Sequence, residues 1–534
     1  MSTDLKKLLL IISNDTIKKR ILLILFIIFF AQCSTLKKDN EHLQQLISAE
    51  QLKKDVDFTY KKFQKLHPKL YYYISKETLD YKFDSLKTTI NSPLTLLNFY
   101  KKISPVVASI RQGHSYVLPP EKRISKKETK AYTKKGTGPF SQFDFSFLND
   151  KLYVTKNNSY NKSITAGTEV LSVNGIKPLN LINQYNQYYS SDGFNTSLKK
   201  QIAAKRFISA FTTEFGIKDS LQYLLKSNDS IKLVTIKRLK PDSIKKKEAK
   251  IASKKTLTDK KKIQELKRKK RINGFEKTSN TFIRELHFSP KDSSVAVLKI
   301  RGFKKGNFRK FYKESFAEIK KQNTKTLILD LRNNGGGQLS EIVHLYRYLA
   351  DSTFVFLKKS EVVSRASLFE GAYFNKGFFG VKAIKTVFSS FVYGYLLFTV
   401  HKDKDGKNYF ATETKSQQIK KNAFDGKLYV LINGGSFSAS SIISSNLKGS
   451  KRATFVGEET GGDYNGTVAG FMPIVKLPHS HLKVRIGIMN VAPYYQTEIL
   501  GHGIFPDVSI QPTLEDKIKE KDPELDWILK QNKQ

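Results

Sequence analysis

Two glycine-rich turns hold the residues of this chain that are best suited to chemistry. The first runs Leu327-Ile-Leu-Asp-Leu-Arg-Asn-Asn-Gly-Gly-Gly337 and leads into Gln338 to Ala350, which has helical spacing. Glycines at such a turn let backbone NH groups face a ligand, and the N terminus of the next helix adds positive potential. The turn is therefore suited to stabilising an oxyanion. A tight turn without a ligand and a dinucleotide loop are the alternatives, although the glycine spacing is not Gly-x-Gly-x-x-Gly.

The second turn, Tyr429-Val-Leu-Ile-Asn-Gly-Gly-Ser-Phe-Ser-Ala-Ser-Ser-Ile442, again joins an apolar run to a helix-like start. A serine at the head of a helix can act as a nucleophile, because nearby NH groups stabilise the negative charge on an attacked carbonyl. Serine is also a favoured helix cap, and the turn lacks the Gly-x-Ser-x-Gly elbow of the α/β-hydrolases. By itself, this turn favours capping over catalysis.

A serine nucleophile needs a general base, and the chain has nine histidines. His114, in Arg111-Gln-Gly-His-Ser115, follows a helix-like segment and a glycine that permits an exposed turn. On the residues alone it is one candidate among nine, with a polar surface or capping role as the default. The histidines show no metal-ligand spacing such as His-Glu-x-x-His, so the sequence predicts no metal and no other cofactor.

The elements that must position these residues follow from hydrophobic spacing. Residues 34–135 have mainly helical spacing, which begins at Leu43, Leu46 and Ile47. Residues 137–240 instead show short alternating runs broken by Asn-Asn and Asn-Gly turns, a pattern typical of a small β-rich domain.

The second half of the chain alternates between strand-like and helix-like segments. Residues 281–515 contain the buried-strand-like runs Ser294–Ile300, Thr326–Leu331, Leu428–Ile432 and Thr454–Val456. At least two of these runs lead into a glycine-rich turn and a helix-like segment, so we expect a βα core. Residues 516–534 are a charged tail, for which a terminal helix is predicted.

Basic residues exceed acidic residues by 93 to 48, a net charge of +45. Between Lys237 and Arg271 alone there are 17 basic and four acidic residues, with no aromatic residues to stack on bases. We therefore interpret residues 241–280 as a solvated linker or helical hairpin beside an anionic membrane surface, and expect no nucleic-acid partner. A nucleic-acid or membrane-surface binder built on this stretch is the alternative.

The N terminus has the pattern of a targeting segment. Lys18, Lys19 and Arg20 precede the apolar run Ile21–Ala31, which is shorter than the ~20 residues that span a bilayer. Cys33 follows and is the only cysteine, so no internal disulfide can form. Residues 1–33 resemble a bacterial lipoprotein signal, which implies cleavage before Cys33, lipidation of its sulfur, and export to the cell envelope on a lipid anchor. An ordinary or uncleaved signal with an incidental cysteine is the alternative.

Together these segments resemble peptidase family S41, the C-terminal processing and tricorn-like serine peptidases. Leu43 to Val117 resembles the family's helical N-terminal part, Ile164 to Gly175 the central strand and turn of a PDZ domain, and Phe282 to Ile510 the catalytic core. The resemblance implies an α/β fold: a Clp-protease/crotonase-like βαβ catalytic core with a helical N-terminal part and a PDZ-like β domain. It also implies a serine endopeptidase that cleaves proteins or peptides through an acyl-enzyme, with peptide tails bound by the PDZ-like domain.

The family's motifs imply the nucleophile and the oxyanion hole by position. The Ser-Ala-Ser-Ala-Ser-Glu motif aligns with Ser436-Phe-Ser-Ala-Ser-Ser441, which places the nucleophile at Ser438 and one oxyanion NH at Ala439. The Asp-Leu-Arg-Asn-Asn-Gly-Gly-Gly turn implies the other oxyanion NH, at Gly336. Ser441 stands where the motif has glutamate.

The general base differs between branches of the family. Asp463 occupies the position of the lysine base of the processing branch, so that dyad is not available here. His114 matches the histidine of the tricorn-like branch and is implied as the base. Glu498, shortly before the closing turn Gly503-Ile-Phe-Pro-Asp507, is a candidate to orient that histidine.

A peptide-binding or scaffolding lipoprotein that has kept the fold and lost turnover is the alternative from a different functional class. Asp463 and Ser441, which replace expected residues, favour this alternative. Ser438 and His114 favour catalysis, which we adopt as the prediction.

Overall fold

The computed structural model describes residues 40–240, 257–289, 292–370, 389–410 and 414–532. The predictions for residues 1–33 and Cys33 concern residues outside this part of the chain. None of the helices in the described ranges is both long enough and apolar enough to cross a membrane.

The secondary structure changes from mainly helical to mixed along the chain. The α-helices are α1 (Ala49–Leu66), α2 (Lys76–Thr88), α3 (Leu96–Ala108), α4 (Lys126–Lys135), α5 (Pro178–Asn186), α6 (Ser197–Gln201), α7 (Ala203–Phe215), α8 (Leu257–Asn273), α9 (Phe308–Lys321), α10 (Leu339–Tyr346), α11 (Ser389–Thr399), α12 (Ala439–Gly449), α13 (Leu514–Ile518) and α14 (Pro523–Gln531). The strands are β1 (Tyr116–Val117), β2 (Phe143–Leu148), β3 (Lys151–Asn157), β4 (Glu169–Val173), β5 (Ser220–Ser227), β6 (Ser230–Lys237), β7 (Phe275–Glu276), β8 (Thr281–Phe282), β9 (Arg284–Ser289), β10 (Asp292–Ile300), β11 (Thr326–Asp330), β12 (Ser360–Val362), β13 (Val400–Lys402), β14 (Asn408–Phe410), β15 (Lys427–Ile432), β16 (Thr454–Gly457), β17 (Thr467–Ala469), β18 (Ile474–Lys476), β19 (Lys483–Arg485), β20 (Met489–Val491) and β21 (Val508–Ser509).

The N-terminal part packs α1, α2 and α3 around buried apolar residues such as Val56 and Phe63. Helix α1 starts later than the spacing predicts: Ser48 caps it by accepting from the NH of Gln51, and Leu46 is 64% exposed outside it. Leu46 therefore lies in the segment before the helix, and its helical spacing does not place it on a helix face.

Residues 143–237 form a five-stranded antiparallel sheet in the order β2-β3-β4-β5-β6. Strands β2, β3 and β4 lie within residues 137–240, where the sequence shows short alternating runs, which confirms the β-rich pattern. The long connection from β4 to β5 holds helices α5, α6 and α7. Thr137 and Leu239 exchange backbone hydrogen bonds of 2.8 and 2.9 Å and close the unit at its base.

The core is a six-stranded sheet in the order β21-β16-β15-β11-β10-β9, parallel except for β9. Four of its strands are the four apolar runs predicted from the sequence, which confirms them. Parallel strands are covered on both faces and therefore read as unbroken apolar runs. The carboxyl ends of β11 and β15 are neighbours, so the two glycine-rich turns meet at one edge of the sheet.

The basic stretch and the tail have different surroundings. Helix α8 is a single helix, exposed from Lys261 to Arg271, whereas the predicted hairpin partly concerns residues 241–256, outside the described ranges.

The tail forms two helices, and α14 packs on the core sheet with Ile528 fully buried. The charged tail thus contributes one apolar face to the core.

Candidate active site

Ser438 lies at the junction between the second glycine-rich turn and α12. Its backbone has φ 59° and ψ −123°, a conformation that residues with a side chain rarely adopt. Its side chain makes no capping hydrogen bond, so the capping interpretation is wrong for this serine. The turn instead presents the hydroxyl at the side of the helix N terminus.

His114 lies in the loop between α3 and β1. Its Nε2 is 3.0 Å from Oγ of Ser438, although the two residues are 324 positions apart in the chain. Strand β1 directly follows the histidine and pairs with β19 of the core, where Tyr116 lies opposite Arg485. This pairing brings the histidine loop of the helical part close to Ser438.

The imidazole of His114 is buried, and its ring centroid lies 5.0 Å from that of Phe437. Burial, with a smaller contribution from the positive charge of Arg485, lowers the pKa of His114 to about 3. Arg485 itself donates to the hydroxyl of Tyr116 and to the sulfur of Met472. His114 is therefore neutral at physiological pH, which is the state that can accept the proton of Ser438.

Backbone NH groups of both turns lie close to Ser438. Ala439 is the first residue of α12, and its NH makes no hydrogen bond with any described residue, as is usual at a helix N terminus. The NH of Gly336 donates to Oδ1 of Asn334 at 2.9 Å. That bond differs from the prediction that Gly336 supplies the second oxyanion donor. The NH of the next residue, Gly337, has no hydrogen-bond partner in the described ranges, and Gly337 lines the same cavity as Ser438.

Gly336 has a packing role instead. Its φ is +92°, and a Cβ there would lie 2.8 Å from Cβ of Ser438 and 2.8 Å from the nitrogen of Ala439. Only glycine fits at such a distance. The first turn therefore lies directly against the nucleophile.

Asn334 joins the two turns and was missed by the sequence reasoning. It is fully buried; its side-chain amide donates to the carbonyl of Ile300, and its backbone carbonyl accepts from the NH of Phe437. The Asn-Asn pair before the glycines was the available signal, because asparagine both caps turns and tolerates positive φ.

Glu498 does not orient the histidine in this structure. It is exposed and forms no hydrogen bond or ion pair with any residue of the described ranges. Asp463, in the place of the lysine, is buried and accepts from the hydroxyl of Tyr73 at 2.8 Å. Ser441 donates to the carbonyl of Ser436 inside the turn. No lysine of the described ranges hydrogen-bonds to Ser438.

An apolar cavity of about 440 Å³ opens beside the nucleophile. Ser438 and Gly337 form one side of it, and the other walls include Phe410, Phe471 and Met489. Its chemistry suits an uncharged side chain held next to the attacked bond.

A half-buried serine at the head of a helix, hydrogen-bonded to a buried histidine and packed against a second glycine-rich turn, is the arrangement of a serine hydrolase. Residues 294–510 match the sequence profile of peptidase family S41. This match identifies residues 294–510 as a peptidase family S41 core, and the protein is a serine-type peptidase.

Solved structures share the fold over most of the chain. Mature CPAF has a TM-score of 0.56 at 15% identity, with 90% of this chain and 96% of that chain covered. The s499a mutant of CPAF has a TM-score of 0.57 at 14% identity, with 88% and 95% covered. Mature CPAF complexed with lactacystin gives 0.55 at 14% identity, with 90% and 97% covered. These similarities confirm the α/β fold, while no curated protein matches this chain in sequence.

Proposed function

We propose that the protein is an endopeptidase that hydrolyses peptide bonds of proteins or peptides through an acyl-enzyme on Ser438, with His114 as general base. The observation that carries the proposal is the distance of 3.0 Å between Nε2 of His114 and Oγ of Ser438. A scaffolding protein without turnover would not need this pair aligned within hydrogen-bond distance. The peptidase family of the core favours catalysis in the same way.

The mechanism follows from the arrangement of the two turns. Oγ of Ser438 attacks the scissile carbonyl carbon as its proton moves to Nε2 of His114. The carbonyl oxygen becomes an oxyanion, to which the NH groups of Ala439 and Gly337 donate. The imidazolium then protonates the leaving amine, and the C–N bond breaks. Water repeats these steps on the ester, releasing the acid and restoring Ser438.

The test is covalent labelling of the full protein with a fluorophosphonate probe. We expect the wild type to be labelled, and Ser438→Ala and His114→Ala to lose labelling while keeping the wild-type thermal transition. We also expect lactacystin, which mature CPAF binds in its complex, to slow the labelling. A folded wild type without labelling would favour the scaffolding alternative, and labelling that survives His114→Ala would assign the base elsewhere.

The apolar cavity supports a preference for an uncharged, medium to large side chain on the acyl side of the cleaved bond. We expect peptides with leucine or methionine at that position to be cleaved faster than matched peptides with aspartate or lysine. Ala469→Phe, which fills part of the cavity, should lower kcat/KM for the leucine peptide more than for an alanine peptide. Equal cleavage of charged and apolar peptides would contradict this preference.

The five-stranded sheet supports peptide-tail binding at an exposed edge, as the PDZ-like resemblance implies. Edge strand β6 has Ile231 and Leu233 exposed by 58% and 65%, and such an edge can accept an added strand. Ile231→Lys with Leu233→Lys should weaken binding of a C-terminal peptide without changing fluorophosphonate labelling. Unchanged peptide binding would exclude this edge.

The export and anchoring proposals rest on the sequence. We infer that Cys33 carries the lipid and holds the protein at a membrane of the cell envelope. Incorporation of an alkyne-tagged fatty acid into the wild type, and its loss in Cys33→Ser, would test this inference. A wild type that takes up no fatty acid would contradict it.

The exposed cations of α8 support contact with an anionic membrane surface rather than with nucleic acid. We expect binding to anionic vesicles that weakens with salt, and no retention of duplex DNA or single-stranded RNA at an ionic strength of about 0.15 M. Retention of nucleic acid under these conditions would overturn this view.

A further inference from the structure

Asp192 is a fully buried carboxylate in the β-rich part of the chain. It accepts hydrogen bonds from the helical N-terminal part and from the catalytic part. It lies between α5 and α6 of the β-rich part. Its Oδ1 accepts from the NH of Gly113 at 2.8 Å and from the hydroxyl of Thr467, in β17 of the core, at 3.1 Å. Gly113 directly precedes His114. One carboxylate oxygen therefore connects the histidine loop with the core.

The other oxygen of this carboxylate, Oδ2, is buried and has no hydrogen-bond partner. No lysine, arginine or histidine of the described residues forms an ion pair with Asp192. A buried carboxylate with one unpaired oxygen costs stability. An uncharged residue would fill this buried position at a lower cost in stability. The presence of Asp192 there therefore points to a role in the candidate active site.

The backbone around Asp192 is held on both sides. The NH of Gly193 donates to the carbonyl of Arg111 at 2.8 Å, and the NH of Phe194 donates to the carbonyl of Gly501 at 2.8 Å. Gly193 has φ +68°, and a Cβ there would lie 2.2 Å from Cα of Gly501. The carboxylate is thus presented from a rigid position.

The histidine loop is held by hydrogen bonds to other segments. The carbonyls of Arg111 and Gln112 accept from the NH of Gly193 and the hydroxyl of Ser190, and Asp192 holds the NH of Gly113, next to the histidine. Residues 111–115 belong to neither helix nor strand, and a Cβ on Gly113 would lie 2.6 Å from the ring of Phe437. Among these bonds, that of the Gly113 NH is the one at the residue directly before His114, so we expect it to affect how His114 projects toward Ser438. A displacement of about 1 Å at a reacting group can cost ~100-fold in rate.

We propose that Asp192 is a positioning residue for the general base: by accepting the Gly113 NH it holds the loop in which Nε2 of His114 reaches Oγ of Ser438. The proposal rests on the peptidase function proposed above. Asp192 does not line the apolar cavity, so its effect belongs to turnover and not to substrate binding.

Asp463 provides a matched control. It is also a buried aspartate, but it accepts from the hydroxyl of Tyr73 and the NH of Asn465, and from no atom of residues 110–115. Asp463→Asn therefore removes a buried acid of the same neighbourhood without touching the histidine loop.

The experiment measures kcat and KM on a cleaved peptide, and the rate of fluorophosphonate labelling, for the full chain and its variants. We expect Asp192→Ala to lower kcat and the labelling rate about 30- to 100-fold with KM within about twofold. Asp192→Asn should recover most of the loss, because its amide oxygen can accept the Gly113 NH. Asp463→Asn should stay within about threefold of the wild type.

Three results would overturn the proposal: wild-type kcat in Asp192→Ala, an Asp192→Asn variant as slow as Asp192→Ala, or an equal loss in Asp463→Asn. If Asp192→Ala does not fold, Asp192→Glu replaces it, because it keeps the charge and displaces the carboxylate. We then expect a kcat loss of about tenfold or more, and wild-type kcat would overturn the proposal. An inactive, unlabelled wild type would instead reject the peptidase function itself.

Discussion

Three residues are in states that lower the stability of the folded protein: Ser438, His114 and Asp192. The serine has a positive φ, the histidine is buried in its neutral form, and the aspartate has an unpaired buried oxygen. Residues that are strained or poorly solvated persist where the surrounding structure over-determines them, and such places are commonly functional. These three costs fall on Ser438, on the histidine bonded to it and on the carboxylate bonded to the histidine loop, which is physical support for a working site.

Burial, with a smaller effect of the charge of Asp463, raises the pKa of Asp192 from its ordinary 3.8 to about 7. Between these values the carboxyl is protonated in the folded protein and ionised in the unfolded chain. Its stabilising contribution is complete below pH ~4 and is lost as pH rises through 7. Because asparagine is neutral throughout, we expect the Tm of Asp192→Asn to rise relative to the wild type between pH 4 and pH 8. A pH-independent difference in thermal unfolding would contradict this.

The second residue-scale prediction concerns the acid limb of activity. The base must be neutral, so its contribution is lost as pH falls through the pKa of His114 in the folded protein, about 3. We therefore expect this histidine to cause no fall in the labelling rate near its ordinary pKa of 6.5. Arg485→Gln removes the nearby positive charge and should move that limb to higher pH. An unchanged limb in this variant would show that burial alone sets the pKa.

At the scale of elements, the site is the meeting of two strand-turn-helix units. Neighbouring parallel strands β11 and β15 end at the same edge, and each leads through a glycine-rich turn into a helix, α10 or α12. Asn334 holds the two turns together through the NH groups of Gly336 and Phe437. The geometry of the nucleophile is therefore a property of both turns.

Gly336→Ala should test this contact between the turns. The added Cβ would lie 2.8 Å from Cβ of Ser438, at a φ of +92°. We expect fluorophosphonate labelling to fall about 100-fold or more, because the serine is displaced, while the circular dichroism spectrum stays that of the folded protein. Gly335→Ala is the matched control, since a Cβ there meets nothing within 4 Å. Equal labelling of the two variants would contradict the role of Gly336.

At the scale of the whole molecule, the C-terminal tail completes the core sheet. Helix α14 covers the face opposite the main core, where Ile528 packs with Ile328 and Val456. Arg332, in the first glycine-rich turn, donates to both oxygens of Asp522 at 2.7 Å. The last helix thus supports the sheet and the turn that faces the nucleophile.

Ile528→Ala should lower the free energy of unfolding by about 2–4 kcal/mol, because it leaves a cavity beneath the sheet. Lys530→Ala, an exposed position in the same helix, should stay within about 0.5 kcal/mol of the wild type. Urea unfolding followed by circular dichroism measures both. Equal effects would mean that α14 does not pack stably on the core.

The elements of the core were predictable from the sequence because their signals are local. The runs Thr326–Leu331 and Leu428–Ile432 read as buried strands, and the glycines after each strand mark the turns. For the tail, the charges predicted a terminal helix but not its packing. The burial of Ile528 could not be predicted, because one apolar residue among charged ones fits an exposed helix equally well.

The residues next to each of the nine histidines did not show which one could be the general base. His114 was selected through a family resemblance, and its place beside Ser438 depends on β1 pairing with β19, which links segments hundreds of residues apart. Glu498 was a candidate to orient the histidine because it shortly precedes the closing turn, yet it is exposed here. Which residues contact each other across the chain depends on long-range packing that no spacing rule encodes.

The sequence by itself determined the βα core and the two glycine-rich turns at the ends of its strands. Through motif resemblance it also predicted Ser438 as nucleophile and His114 as base. The tertiary structure decided which NH groups remain available, because Asn334 takes that of Gly336 and leaves that of Gly337. It also brought Asp192 to the histidine loop, 79 positions away from Gly113. Local patterns reflect burial and turn chemistry, whereas hydrogen bonds between distant segments form only when the whole chain is packed.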